Sequence, residues 1–168
     1  MAHPLKVVTP PESPGSFRRA YAALSTTRVA KAVARFVNWK LDPVLLRLTR
    51  GRFATTLVFR SAILETRGAH SGEVRRNTVI YFHDGDRVIL TASHAGAPRH
   101  PGWYHNLRVG PEVTFADRPM RASVVEDPDE KRRLEDLGDR TFPGYATYRR
   151  QAAATGRTVP IVALTPVG

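Results

Sequence analysis

The spacing of apolar positions changes near residue 53, and the change divides the chain. Residues 16–52 carry helical spacing, with Phe17, Tyr21 and Leu24 on one stripe and Val29, Val33, Phe36 and Val37 on another. Ser25 or Thr26 between them can cap a second helix. Arg18, Arg19, Arg28, Lys31, Arg35 and Lys40 punctuate the stripes, so the segment reads as basic amphipathic helices, followed beyond Pro43 by a short apolar turn. Ahead of it, Pro4, Pro10, Pro11, Pro14 and Gly15 make residues 1–15 a flexible arm. From residue 53 to 168 the texture is that of strands. Candidates are 57–67, 74–82, 87–93, 112–116, 120–125 and 159–164. Asp84-Gly85 marks a tight hairpin between the second and third, and Asp117-Arg118-Pro119 separates the fourth and fifth. A short helix starting at Pro101 lies between the third and fourth strands. Asp127, Pro128 and Glu130 have the form of an N-cap, a first-turn proline and a capping-box partner, opening a helix to about residue 137. A tyrosine-bearing segment, 142–154, follows.

Six strands joined mostly by hairpins predict a mainly β domain with flanking helices, of α+β class. Its sheet should be antiparallel and close into a small barrel that leaves no exposed edge. The lack of regular strand–helix alternation argues against a doubly wound sheet.

Charge adds a constraint. The 168 residues hold 26 Lys plus Arg against 15 Asp plus Glu, a formal net charge of +11. That surplus suits an anionic partner, whether nucleic acid, an acidic membrane face or a polyanionic cofactor, and equally suits a solvated basic surface. The chain has no cysteine, which excludes disulfides, thiolate catalysis and Cys-based metal sites and fits a reducing compartment. No apolar run approaches the roughly 20 residues that span a bilayer. The N-terminus lacks the apolar core of a signal peptide, so a cytoplasmic location is expected.

Two segments concentrate candidate chemistry. In the second strand, alternation puts Arg75, Asn77, Val79 and Tyr81 on one face and Arg76, Thr78, Ile80 and Phe82 on the other. Arg75 and Asn77 at a strand mouth can bind a phosphate or carboxylate together, or the turn 66–74 can be a plain hairpin with solvated arginines. The second segment, 92–111, is richer. Ser93 and Gly96 let backbone approach a ligand. His94, Arg99, His100 and Arg108 supply donors to an anion. Pro101 presets a helical turn whose free N–H groups favour negative charge. Trp103 and Leu107 share one helical face, Tyr104 and Arg108 a neighbouring one. Trp103 on its own reads first as core packing, since a tryptophan on a helix usually packs. The six histidines form no metal set: His100 and His105 are five apart, with no carboxylate to complete them. No nucleophile elbow, Walker loop or dinucleotide fingerprint occurs, and no nucleic-acid-recognition signature accompanies the basic stripes.

The blocks 68–72 with Arg75 and Asn77, Asp84-Gly85-Asp86, 92–97, 101–107, Pro143-Gly144-Tyr145 with Tyr148, and 161–164 resemble the deazaflavin-dependent nitroreductase family over about residues 57–166. These are actinobacterial split-barrel enzymes related in fold to FMN-binding proteins, and they use reduced coenzyme F-420. The resemblance implies a split β-barrel and a cationic groove for the anionic tail of that cofactor. It places His70, Ser71, Arg75 and Asn77 along the phosphate and tail. It places Ala92, Ser93, His94, Ala95 and Gly96 along the ring, with Trp103, Tyr104, Asn106 and Arg108 completing the pocket. The implied reaction is hydride transfer to a quinone, nitro compound or activated enone. Ser93 would be the hydrogen-bond donor, and Tyr145 and Tyr148 would shape the substrate pocket or simply pack their helix on the barrel. The chain departs from the family pattern at Ala69, His70 and His94, where basic residues are usual. It departs also at His105, usually apolar, while the small Gly102 beside the ring widens the pocket. Alternatives are an FMN-binding split-barrel oxidoreductase, a deazaflavin carrier without turnover, or a basic membrane- or nucleic-acid-binding module. The basic residues 16–52 would cap the site or rest on an anionic membrane surface, giving a peripheral location at its inner face.

Overall fold

The computed structural model describes residues 60–167. The arm and the basic helices expected over 1–52 lie outside the described residues. Within them, six strands close a barrel in the order β1-β2-β3-β6-β5-β4, every pairing antiparallel. The strands are β1 Ser61–Arg67, β2 Val74–Asp84, β3 Arg87–Thr91, β4 Glu112–Phe115, β5 Arg118–Val124 and β6 Ile161–Pro166. Three α-helices accompany them: α1 Gly102–Val109, α2 Pro128–Thr141 and α3 Gly144–Ala153.

Burial explains why the strands differ in texture. β1, β4 and β5 alternate buried and more exposed positions, and their inward residues Ala62, Leu64, Val113, Phe115, Met120 and Ala122 fill the barrel. Trp103, Tyr104 and Leu107 of α1 join the same core. β3 and β6 instead carry unbroken buried apolar runs, 88–90 and 161–164, because both faces are covered there. Val88, Leu90, Val162 and Leu164 face the barrel interior. Ile89, Ile161 and Ala163 pack outside with Phe82, Val125 and Leu134 of α2. The face assignment for β2 holds as well. Val79 and Tyr81 belong to the interior, while Ile80 packs on the Phe142–Tyr145–Tyr148 cluster and Phe82 on the cluster with Leu134.

Several boundaries differ from the sequence expectation. The turn between β4 and β5 is Ala116-Asp117, both with positive φ, so Arg118 pairs with Phe115 and Pro119 with Thr114 inside the ladder. Pro101 is the N-cap of α1 (ψ 148°), and the helix begins one residue later. α2 runs to Thr141 rather than stopping near 137. Its cap is as expected, Asp127 Oδ1 accepting from the Glu130 N–H at 2.7 Å. The Glu130 carboxylate, however, pairs with Arg87 at 2.7 Å.

That pair belongs to a clamp between the β2–β3 hairpin and α2. Arg133 grips Asp84 through both oxygens, at 2.7 and 2.9 Å, and Arg87 donates to the same carboxylate. These hydrogen bonds, led by that of Arg133, hold the Asp84 carboxyl at about 2 against the ordinary 3.8. Because the folded value is the lower one, the stabilisation is complete above pH 3.8 and is lost as pH falls towards 2. Asp84→Asn should therefore cost roughly 2 kcal/mol near neutral pH. The difference from wild type in urea melts should close by about pH 2. A constant difference across that range would show that charge is not what Asp84 contributes.

Candidate functional site

The hairpin register brings the two chemistry-bearing segments to one end of the barrel. β3 runs back along β2, with Leu90 opposite Tyr81. The chain leaving Thr91 therefore emerges level with the first half of β2, at the end opposite the Asp84 clamp. Arg75 and Asn77 continue the interior-facing parity of Val79 and Tyr81 beyond the filled core, and both are exposed.

The connection from β1 to β2 is tight. Gly68 N–H donates to Glu73 O and Gly72 N–H to Gly68 O, each at 2.8 Å, and the Ser71 hydroxyl accepts from Glu73 N–H at 3.3 Å. His70 and Ser71 stand exposed at its tip. Arg75 pairs with Glu73 at 2.8 Å, an ion pair with both side chains more than half exposed. Such a pair is worth little and yields readily to a stronger anion. Asn106 of α1 fastens this turn. Its Oδ1 accepts from Ala69 N–H and its Nδ2 donates to Thr66 Oγ1, both at 3.0 Å. The Asn106 amide is thus engaged with protein, and it joins α1 to the 68–73 turn.

The chain after β3 is backbone under constraint. His94, Ala95 and Gly96 form a short 3-10 turn at φ 47°, 52° and 74°. Two of the three are not glycine, a conformation costing about 1–2 kcal/mol each and characteristic of functional loops. Gly96 is buried against α3, where an added Cβ would lie 2.6 Å from Gln151 Oε1 and 3.2 Å from Tyr148 O. His94 Nδ1 faces the Arg99 carbonyl at 2.9 Å, so that nitrogen carries the proton. Ser93 is buried, and its hydroxyl makes no hydrogen bond among the described residues. Arg99, His105 and Arg108 are exposed around the turn, and neither arginine has a carboxylate in ion-pair reach among the described residues. Rings of His100 and Tyr104 lie 5.0 Å apart, and those of His100 and His105 5.8 Å. Burial, then the neighbouring Arg157, His105 and Arg108, hold His100 below the ordinary imidazole value.

The expected site residues therefore converge in part. Residues 70–77, 92–96 and 104–108 meet at one barrel end, joined through α1. Trp103 and Tyr104 are buried there in the barrel core, so packing accounts for much of what they do. Tyr145 and Tyr148 are buried with Phe142, the ring centroids 5.0 and 5.7 Å from Phe142. Burial raises the Tyr145 pKa despite a hydrogen bond to the Thr91 side chain, so its hydroxyl keeps its proton. One residue escaped the sequence reading. Arg157, ahead of β6, is buried and donates to the backbone of Ala92 and Ser93. Nothing in the sequence separates it from 25 other basic residues. Among the described residues, no group of three or more His, Cys, Asp or Glu is placed to hold a metal.

Comparison with known proteins fits this geometry. A family model described as F420H(2)-dependent quinone reductase matches residues 39–166. The Mycobacterium tuberculosis (strain H37Rv) protein named F420H(2)-dependent quinone reductase Rv1261c is 33% identical over 134 residues, 75% of this chain and 88% of its own. A second protein of that strain, named putative F420H(2)-dependent quinone reductase Rv3178, is 33% identical over 62% of this chain and 87% of its own. A solved structure described as F420-H2 Dependent Reductase (FDR-A) superposes with a TM-score of 0.53 at 26% identity, covering 62% of this chain and 92% of that one.

Proposed function

Because the chain belongs to the family of quinone reductases that depend on reduced coenzyme F-420, we propose that the barrel end built from residues 68–77, 92–96 and 103–108 is where this oxidoreductase holds that cofactor and reduces a quinone. The observation that carries this reading is the left-handed turn His94–Gly96, braced by α3, with exposed Arg99 and Arg108 nearby in the same 92–108 segment and without carboxylate partners among the described residues. A flat ring with an acidic tail matches that surface. Arg75, Asn77, His70 and Ser71 would take the tail, and residues 92–96 would border the ring. When bound, the reduced deazaflavin supplies the hydride.

The protein's own part is orientation, exclusion of water and polarisation. Ser93 has a hydroxyl without a hydrogen-bond partner among the described residues and is the donor best suited to a carbonyl oxygen of the acceptor. Tyr145 and Tyr148 act by shaping the wall between α3 and the barrel. A protonated, buried Tyr145 bonded to Thr91 is a poor proton source, so the second hydrogen of the hydroquinone is assigned to water. His70 and His94 stand where a lysine would attract the tail more strongly. A nitro compound or enone would be an alternative acceptor at the same place. A membrane-dissolved quinone would be approached through the basic residues 16–52, a reading supported by their sequence pattern. Among the described residues, no helix is long and apolar enough to cross a membrane.

Titration of the protein with coenzyme F-420 and with FMN, read by fluorescence, tests the cofactor. Oxidation of reduced F-420 by a quinone, a nitroaromatic and an enone tests the reaction. F-420 should bind far more tightly than FMN, and the quinone should turn over fastest. Ser93→Ala should lower kcat by about tenfold or more with little change in F-420 affinity. Preferential FMN binding would overturn the cofactor assignment. F-420 binding without turnover of any acceptor would make the protein a carrier.

A further inference from the structure

Arg157 is buried, only 7% exposed, and has no carboxylate in ion-pair reach among the described residues. A guanidinium in that position is costly unless its hydrogen bonds repay the lost hydration. The bonds it makes are specific. Nη1 donates to Ala92 O at 3.2 Å and to His100 Nδ1 at 3.2 Å, and Nη2 donates to Ser93 O at 2.6 Å. Nε has no partner among the described residues. The same segment takes the other side of Ala92, whose N–H donates to Pro160 O at 3.0 Å. Ser93 O also accepts from Gly96 N–H at 2.9 Å, closing the left-handed turn.

Two successive carbonyls are thus drawn to one side of the loop. In a trans peptide the N–H points opposite to the C=O. Holding Ser93 O towards Arg157 therefore turns the His94 N–H away from it, and that N–H has no partner among the described residues. The contact with His100 fixes a second feature. An arginine can only donate, so Nδ1 of His100 accepts and its proton sits on Nε2. Both effects bear on the loop assigned to the cofactor ring, and neither is needed to close the barrel.

We propose that Arg157 is a positioning residue for cofactor recognition: its guanidinium fork fixes the carbonyls of Ala92 and Ser93, and thereby presents the His94 N–H on the opposite face of the loop as a donor to the cofactor. The proposal rests on the assignment of coenzyme F-420 to this loop. Its test uses the full chain with Arg157→Met, which removes fork and charge, and Arg157→Lys, which keeps charge without the fork. Amide hydrogen exchange of the ligand-free proteins should show residues 92–97 exchanging at least about tenfold faster in Arg157→Met, with the strands unchanged. Titration with oxidised coenzyme F-420 should show a dissociation constant raised by at least about tenfold, Arg157→Lys falling between the two.

A folded Arg157→Met protein with wild-type loop exchange and wild-type F-420 affinity would overturn the proposal. So would strands that open together with the loop, since Arg157 would then be holding the barrel. If Arg157→Met fails to fold, Arg157→Lys decides by the same two readings, and failure of both to fold overturns the proposal. Wild-type protein that does not bind F-420 would bring down the cofactor assignment and this proposal with it. Equal binding by wild type and variants would bring down this proposal alone.

Discussion

Gly96→Ala is expected to deprive the protein of its cofactor while the barrel remains folded. Gly96 sits at φ 74°, where a side chain is strained whatever the space around it. There is no space either. The new Cβ would lie 2.8 Å from Gln151 Cβ and 3.2 Å from the Tyr148 carbonyl, which belongs to the backbone of α3 and cannot swing aside. Strain and overlap together should cost about 1–3 kcal/mol, released most cheaply by lifting the 92–97 turn off α3. Since each 1.4 kcal/mol is about a factor of ten in affinity, binding of coenzyme F-420 should weaken by tenfold or more. Gly110→Ala is the control. Gly110 has φ −130° and no atom within 4 Å of an added Cβ, so both melting and binding should match wild type. Gly96→Ala protein that binds F-420 normally would mean that the turn is not part of the site.

Phe82→Ala should have the largest effect on the fold. Phe82 is almost wholly buried on the outer face of β2, packed with Ile89, Val125, Leu134, Ile161 and Ala163. Its ring also lies against Gly138, where an added Cβ would stand 3.1 Å from it. Truncation leaves a cavity between α2 and three strands that backbone hydrogen bonding prevents from collapsing. Such changes cost about 3–5 kcal/mol. That is a large share of the 5–15 kcal/mol typical of a domain. Val109→Ala, at a position 71% exposed, should move stability by no more than about 0.5 kcal/mol. Urea melts of the two variants check the contrast. Comparable losses in both would show that the outer face of the sheet is not a stabilising core.

The Phe82–Gly138 contact also explains one limit of reading the sequence. The sequence pattern carries α2 only to about residue 137, ahead of a glycine. Gly138 instead serves close approach of the helix to an aromatic ring, and α2 continues for another turn to Thr141. Pro119 likewise made an element look shorter than it is. A proline discourages extending a strand through it, yet here it pairs with Thr114 because the two-residue turn at Ala116-Asp117 puts it inside the ladder. The six strands and their antiparallel closure were legible because alternation in β1 and β5, and the unbroken apolar runs of β3 and β6, report how many faces each strand buries. The faces of β2 were legible for the same reason. The sequence placed the candidate residues on neighbouring segments at one barrel end, and several of their side chains are engaged differently from what spacing implies. Asn106 reads as a ligand contact, yet its amide joins Ala69 and Thr66. Tyr145 and Tyr148 are three apart on a helix, which does not reveal that Phe142 closes a cluster with them. Arg157 was illegible, since its partners are carbonyls 64 and 65 residues earlier in the chain.

Amide hydrogen exchange of the wild-type protein, with and without a saturating concentration of coenzyme F-420, tests the placement of the cofactor most directly. Protection should rise in residues 68–77 and 92–97 and stay unchanged in the Asp84–Arg87 hairpin and the N-terminal turn of α2, at the other end of the barrel. Protection confined to that other end, or none at 92–97 despite measured binding, would contradict the site described.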